Sequence, residues 1–477
     1  MRFASSLSAP ASLERGGNPR MHAMHSPRSA ARTLASATVA LALLTSCAIG
    51  SRSVAKEKLN ELPAESSSQT EAQGPITDGT SAVNGMVGIR PGARVTDSFI
   101  QQLLEVDSSL TSFIGAPEAY DATIVIALAA EAARTDAPRR IAEQLRSVTE
   151  GGTACVSYRR CRNWILKNAD ADYDGISGQL SFVPSGTVRE FQFTKLQFNK
   201  SGGIEEAGSL AVNSDEDEVT KAPNLDLGTW AQPDGVLTLG TLLPQVEPNS
   251  DRARAALAGV TLAVRQINEE FGTLGNKVVL LPDASGDGTP GSTQAAANTL
   301  VDLGADAVIG GTDAAVTEVA LPVISGIAGR LFISPVDPAP QPAERHHGLF
   351  FRCSVPPTIE GLVLGRLALA EGFVRPALLI ANNAESLQLV TPFSTAITEG
   401  GGSIAGQAII DPAASNTQAI ADMLAAGPDA VVIIGNSNVA TAAVLELLKA
   451  EAGARLPILG SAGTMTRDFA QAVGSTR

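Results

Sequence analysis

The stretch "DYDGISGQLSF", Asp172–Phe182, sets tight-turn residues (Asp, Gly, Ser) directly before an alternating apolar run. It reads like the end of a protein, for a reason that only a resemblance given below supplies, yet the chain continues to residue 477. Where this stretch belongs in the order of elements decides the fold. A chain of 477 residues exceeds one ordinary core, so two or three domains are expected. With 44% hydrophobic and 18% charged residues, the composition is that of a globular protein. The formal charge of −14 argues against nucleic-acid binding, which selects clustered Lys and Arg.

Residues 1–46 read as a leader. Arg28 and Arg32 precede the apolar run "LASATVALALL" (Leu34–Leu44), too short to span a bilayer and suited to a signal-peptide core. The run ends in "LTSC" (Leu44–Cys47), which resembles the lipobox of bacterial lipoproteins. The resemblance implies cleavage before Cys47 and lipid on its thiol; a plain secretory signal with an incidental Cys is the alternative. Met21 or Met24 is a plausible translation start. Removing residues 1–46, with five Arg and one Glu, takes the formal charge from −14 to −18. In an exported, oxidising setting, Cys155 and Cys161 of "CVSYRRC" read as a local disulfide, because their spacing does not suit a zinc site. Cys353 reads as a small buried hydrophobe.

Residues 47–83 carry the candidate lipid and a tether rich in Ser, Glu, Gln, Thr and Gly. Residues 201–234, with the run "SDEDE", read as an acidic linker. Two globular blocks remain, 84–200 and 235–477. The second alternates short apolar strands ("VLTLGTLLP", "KVVLLP", "DAVIGG", "PALLIA", "DAVVIIG") with helical stretches. In the first of these, Leu257, Val260, Val264, Ile267 and Phe271 fall near one helical face. This pattern predicts parallel sheets covered on both faces. "GADAVIGG" (304–311) echoes "GPDAVVIIG" (427–435), as two similar α/β lobes would. The first block differs: "EAYDATIVIALAAEAA" (118–133) and "APRRIAEQLRSV" predict helices, and "VREFQFTKLQF" predicts an antiparallel strand.

Block 235–477 resembles the type I periplasmic-binding-protein family of branched-chain amino-acid ABC transporters. The resemblance is carried by "LTLGTLLPQ", "AGVTLAVRQINEEFGTLGNKV", "SGDGT", "AVIGGTDAAVT", "FISPVD", "GLFFRCSVP" and "DAVVIIG". Block 84–200 resembles the C-terminal third of the same family through "EAYDATIVIALAAEAA", "GGTACVSYRRC" and "DYDGISGQLSF". The resemblance implies an α/β, two-lobed fold, each lobe a parallel-rich sheet flanked by helices, in circularly permuted order. Two separate fragments, or a gene-model error, are the alternatives. On the permuted reading, lobe I is about 235–353 with about 88–150, and lobe II is about 354–475 with about 165–200.

The family holds a small solute between its lobes. The positions corresponding to its ligand loops are Thr312, Asp313, Ser334, Asp337, Asn383, Glu385, Asn436 and Ser461, all after expected strands. Asp313 stands where the family usually has Ser; it is either a ligand group or the N-cap of the next helix. Glu385 replaces an aromatic, and the acid that usually meets a ligand ammonium is absent at Gly460–Ser461. Asn436 could bond a solute or cap a helix. Three of the eight positions are acids, so a cation or amine suits the cleft better than a free carboxylate.

His346 and His347 read as a surface pair rather than metal ligands, and Asp283 and Asp287 as turn formers. No phosphate-loop, nucleophile-elbow or zinc-protease motif occurs, so no catalytic residue, cofactor or metal is expected. The expected function is a monomeric, membrane-anchored extracytoplasmic solute-binding protein of an ABC importer. Its partners would be a small polar solute of amino-acid, amide or amine type, a permease, the ATPase indirectly, and the membrane through lipid. A sensor or scaffold lipoprotein with a degenerate pocket is the alternative. Mass spectrometry of the mature, unreduced chain should find diacylglyceryl on Cys47 and no free thiol at 155 or 161; an N-terminus upstream of residue 47 would refute the anchor.

Overall fold

In a computed structural model the described residues are 81–93, 95–183, 185–213, 232–246, 250–337, 347–450 and 453–474. Cys47, the leader, His346 and nearly all of the tether lie outside them. In chain order the first block supplies β1 (Val87–Pro91), α1 (Asp97–Val106), α2 (Ala116–Ala133), α3 (Pro138–Leu145), β2 (Thr153–Cys155), α4 (Tyr158–Ile165), β3 (Ala171–Tyr173), β4 (Glu190–Phe198) and β5 (Ile204–Asn213). The second supplies β6 (Thr238–Leu242), α5 (Ser250–Glu269), β7 (Val279–Leu280), α6 (Pro290–Asp302), β8 (Ala307–Gly310), α7 (Ala314–Leu321), β9 (Leu331–Ser334) and β10 (Phe350–Arg352). It continues through α8 (Pro357–Ala370), β11 (Ala377–Ala381), α9 (Ala384–Glu399), β12 (Gly406–Ile410), α10 (Thr417–Ala425), β13 (Val431–Ile434), α11 (Ser437–Lys449), β14 (Ile458–Gly460) and α12 (Arg467–Gly474).

The strands form two main sheets. One has the order β10-β9-β8-β6-β7 and is parallel throughout. The other has the order β12-β11-β13-β14-β1-β4-β5. Its first five strands are parallel, and the β4–β5 hairpin closes it in antiparallel fashion. Strands β8, β9, β11 and β13 are buried along their whole length, which is why they read as unbroken apolar runs.

The join between the blocks lies inside the second sheet. β14, from the end of the chain, pairs in parallel with β1, Val87 opposite Leu459 and Gly88 opposite Gly460. The fit requires glycine at 88. A Cβ there would overlap Met465 Sδ and lie 2.6 Å from the Gly460 carbonyl. The two blocks also share the first lobe, because α2 packs on α5 and against β8 and β9. One hydrophobic core runs through both lobes, from Leu239 and Ile309 past Ile124 and Leu128 to Phe193 and Leu459.

Helix α2 is buried along nearly its whole length. Its Ala-rich surface lets neighbours approach closely, but it also buries Asp121 completely. That carboxylate accepts hydrogen bonds from Tyr173 Oη (2.6 Å), the Ile176 N–H (3.1 Å), the Ser177 N–H (2.7 Å) and Ser177 Oγ (2.5 Å). All of these donors belong to the stretch Asp172–Phe182. Gly175 must be glycine, since a Cβ there would overlap the Asp121 carboxylate. The closing turn is therefore fastened to the helix that opens the first lobe. Cys155 and Cys161 form a disulfide beside it, with Cα atoms 5.5 Å apart, and Cys353 is a buried free thiol.

Several boundaries differ from the sequence reading. β1 joins the second sheet rather than the first lobe, because its partner is β14. Residues 158–173 pack with the first lobe through α4, which rests on α2 and α5. β5 occupies 204–213, inside the expected linker; it is an edge strand exposed along most of its length, so no apolar alternation announced it. Phe271 does not continue the buried face of α5: the helix ends at Glu269, and Phe271 sits in a turn at φ 71°, 81% exposed.

Replacing Asp121 by Ala orphans the N–H groups of Ile176 and Ser177 and removes a buried carboxylate with four hydrogen bonds. Urea denaturation should show a loss of about 3–5 kcal/mol. A loss below about 1 kcal/mol would show that the contact does not organise the lobe.

Candidate functional site

Parallel strands bring the loops after their carboxyl ends to one edge of each sheet. Thr312 and Asp313 follow β8, Ser334 ends β9 and Asp337 follows it; Asn383 follows β11, with Glu385 in the first turn of α9, and Asn436 and Ser461 follow β13 and β14. All eight expected positions therefore lie at these edges, but most are already engaged within the fold. Asp313 caps α7, its Oδ1 accepting from the Val316 N–H at 3.0 Å. Asn383 caps α9 through the Ser386 N–H at 2.9 Å, and Asn436 caps α11 through the Val439 N–H at 3.1 Å. Each cap is worth about 1 kcal/mol to its helix.

The serines behave alike. Ser334 Oγ donates to the Gly311 carbonyl (3.2 Å) and accepts from the Asp337 N–H (3.0 Å). Ser461 Oγ donates to the Gly435 carbonyl (3.2 Å) and accepts from the Gly435 N–H (3.1 Å). Thr312, Ser334, Asp337 and Ser461 are all buried. Glu385 is exposed in the first turn of α9. The structure thus places Thr312, Asp313, Ser334 and Asp337 in one lobe and Asn383, Glu385, Asn436 and Ser461 in the other, with Asn383, Glu385 and Asn436 exposed.

Three residues not anticipated from sequence stand between the lobes. Glu118, in the first turn of α2, reaches across the lobes, with Oε1 3.1 Å from the position a Cβ on Gly92 would take. Its Oε2 is sealed from solvent and has no hydrogen-bond partner. Glu360, on α8, accepts from the Ala462 N–H just after β14 at 2.9 Å. Arg252, in the first turn of α5, lies against Gly115 and acts electrostatically on both carboxyls. Burial pushes the Glu118 carboxyl up to about 7, helped by Asp121 and opposed by its own N–H, Arg252 and Arg90. Burial likewise pushes Glu360 up to about 7, with Glu385 adding to the rise and the Ala462 N–H and Arg252 opposing it. Two carboxyls that retain protons near neutrality, each acted on by Arg252 and neither closed into an ion pair with it, are perturbed in the way that marks a candidate site. No sequence motif marks them, because Glu118 and Glu360 are carried on helices, away from the strand-end loops.

Among the described residues no group of three or more His, Cys, Asp and Glu side chains is placed to hold a metal ion. No described helix is long and apolar enough to cross a membrane.

A family model described as periplasmic binding protein matches residues 236–475. No curated protein matches significantly. Among solved structures, a putative branched-chain amino acid ABC transporter from Rhodospirillum rubrum shares 21% identity over 50% of this chain and 68% of its own, with a TM-score of 0.43. The isoleucine complex of a branched-chain amino acid transporter substrate-binding protein from Streptococcus pneumoniae shares 19% over 50% and 67%, at 0.40. A Rhodopseudomonas palustris solute-binding protein with 3,4-dihydroxybenzoic acid shares 16% over 49% and 63%, at 0.39, so the chain spans less than two thirds of that protein.

Raised carboxylate pKa values have a definite consequence for stability. Below about pH 4.5 folded and unfolded chains both hold the protons. Between there and about 7 the unfolded chain releases protons that the folded protein keeps. Stability should therefore fall as pH rises through that window, by about 1–3 kcal/mol per carboxyl, and level off above it. Urea midpoints at pH 5 and pH 8 should show a smaller fall in the Glu118→Gln, Glu360→Gln double variant than in the parent; equal falls would place both carboxyls in ordinary solvent.

Proposed function

The chain belongs to the periplasmic binding protein family, and on that premise we propose that it captures a small polar solute between its two lobes as the extracytoplasmic receptor of an ABC importer. The observation that carries this reading is the set of charged groups facing each other across the lobes: Glu118 and Arg252 from the first, Glu360 from the second. All three are half-buried, with Glu118 Oε2 sealed from solvent, and each sits in the first turn of a helix. The solute is of amino-acid, amide or amine type, and capture involves no bond making or breaking. Cys47 anchors the receptor by lipid, 47–83 is its tether, and the partner at the membrane is a permease, with the ATPase reached through it. The receptor acts as a monomer.

The order of the chain is a circular permutation of one two-lobed protein. Supporting this, the last strand of the second block pairs in parallel with the first strand of the first block. Residues 84–200 then correspond to the family's C-terminal third and 235–477 to its N-terminal two thirds.

One observation favours a sensor or scaffold instead: Asp313, Asn383 and Asn436 are engaged as helix caps, and Ser334 and Ser461 by backbone. Thermal-shift screening of amino acids, amides, polyamines and sugars separates the two. A solute at 100 times its Kd should add about 2.7 kcal/mol of stability. A flat response across the whole panel would favour the scaffold.

A further inference from the structure

Asp121, Arg252 and Arg90 act electrostatically on Glu118, and Arg252 and Glu385 on Glu360, which also accepts from the Ala462 N–H at 2.9 Å. Arg252 lies against Gly115 at the N-cap of α2, and Glu118 Oε1 reaches toward Gly92 of the second sheet. Several of these are already committed. Asp121 is saturated by its four donors, and Arg90 pairs with Glu206 at 3.2 Å. Among the described residues Arg252 makes no hydrogen bond or ion pair, and Glu118 Oε2 is buried without a partner. The open valences between the lobes are thus the Arg252 guanidinium, Glu118 Oε2 and the Glu360 oxygen that the Ala462 N–H leaves free.

Charge matching then discriminates among solutes. A neutral amino acid satisfies Arg252 and one Glu but leaves the second carboxylate buried and unpaired, a costly state. An aromatic or aliphatic carboxylate satisfies only Arg252 and sets a second anion beside both glutamates. A diamine serves the glutamates but brings a cation to Arg252. A molecule with one carboxylate and two cationic ends leaves nothing unmatched. Resting on the solute-binding reading of this same site, we propose that the solute is a basic amino acid. Its carboxylate is held by Arg252 and its two cationic ends by Glu118 and Glu360.

The same arrangement links binding to protons. A carboxyl that is protonated cannot pair with a cation, and both titrate at about 7 in the empty protein. Binding therefore releases protons, and affinity should fall roughly ten-fold per carboxylate from pH 8 to pH 6.

Calorimetry on the full chain with L-arginine, L-lysine, agmatine (arginine without its carboxylate), putrescine, L-leucine and benzoate tests the assignment. L-Arginine or L-lysine should bind at least ten-fold tighter than the other four. Buffers of different ionisation enthalpy should show proton release near pH 7. Arg252→Gln should abolish the preference for L-arginine over agmatine while agmatine binding persists. Glu118→Gln and Glu360→Gln should each weaken L-arginine at least ten-fold and flatten its pH dependence. Agmatine, leucine, putrescine or benzoate binding as tightly as the basic amino acids would overturn the proposal, as would binding without proton release. If some other solute of the wider thermal-shift panel binds and these do not, the solute-binding reading stands and the basic amino acid falls; if none binds, both fall.

Discussion

The fold turns on a single buried carboxylate. Asp121 lies inside α2, where an isolated charge would cost several kcal/mol. It is tolerated because the loop Asp172–Ser177 wraps around it and delivers four hydrogen bonds. The dependence is mutual. Gly175 can pass Asp121 only without a side chain, and the loop's N–H groups find their acceptor only there. The fastening joins two parts of the first block: α2, which packs on α5, and the loop from which the chain runs on to β4 and the second sheet, where β1 is separately held by β14. Glu118, one turn earlier on the same helix, inherits its position between the lobes from the same anchor.

A second constraint is repeated in the two lobes. Asp306, before β8, accepts from the Thr238 N–H at the start of β6 (2.9 Å). Asp429, before β13, accepts from the Val374 and Arg375 N–H groups ahead of β11 (both 2.8 Å). In each lobe an aspartate at the entrance of a central strand ties down the entrance of its neighbour. At the opposite edge Ser334 ties Gly311 and Ser461 ties Gly435. The echo between "GADAVIGG" and "GPDAVVIIG" is thus the trace of one mechanical solution used twice: a carboxylate at one end of the strand and a hydroxyl clamp at the other.

This explains which parts of the molecule were legible beforehand. Strands buried on both faces announce themselves as apolar runs, so β8, β11 and β13 could be read directly. β5, with most residues exposed at an edge, could not. Strand-end residues were correctly located, but their roles were not legible. Asp, Asn and Ser are the residues a solute would need and also the residues a helix start or a strand end needs, and composition does not separate the two uses. Glu118, Arg252 and Glu360 were invisible for a different reason. Each is an ordinary charged residue in the first turn of a helix, and only the tertiary fold brings Arg252 within electrostatic reach of both glutamates.

That division of labour has an energetic logic. The strand-end loops are fixed by caps and clamps, so they form rigid edges that need no ligand to hold them. The charged groups are set back on helices, where burial pushes two carboxyls to about 7 at a cost to the empty protein above that pH. Arg252 acts on both carboxyls without closing into an ion pair with either, so no internal partner offsets the cost of their burial.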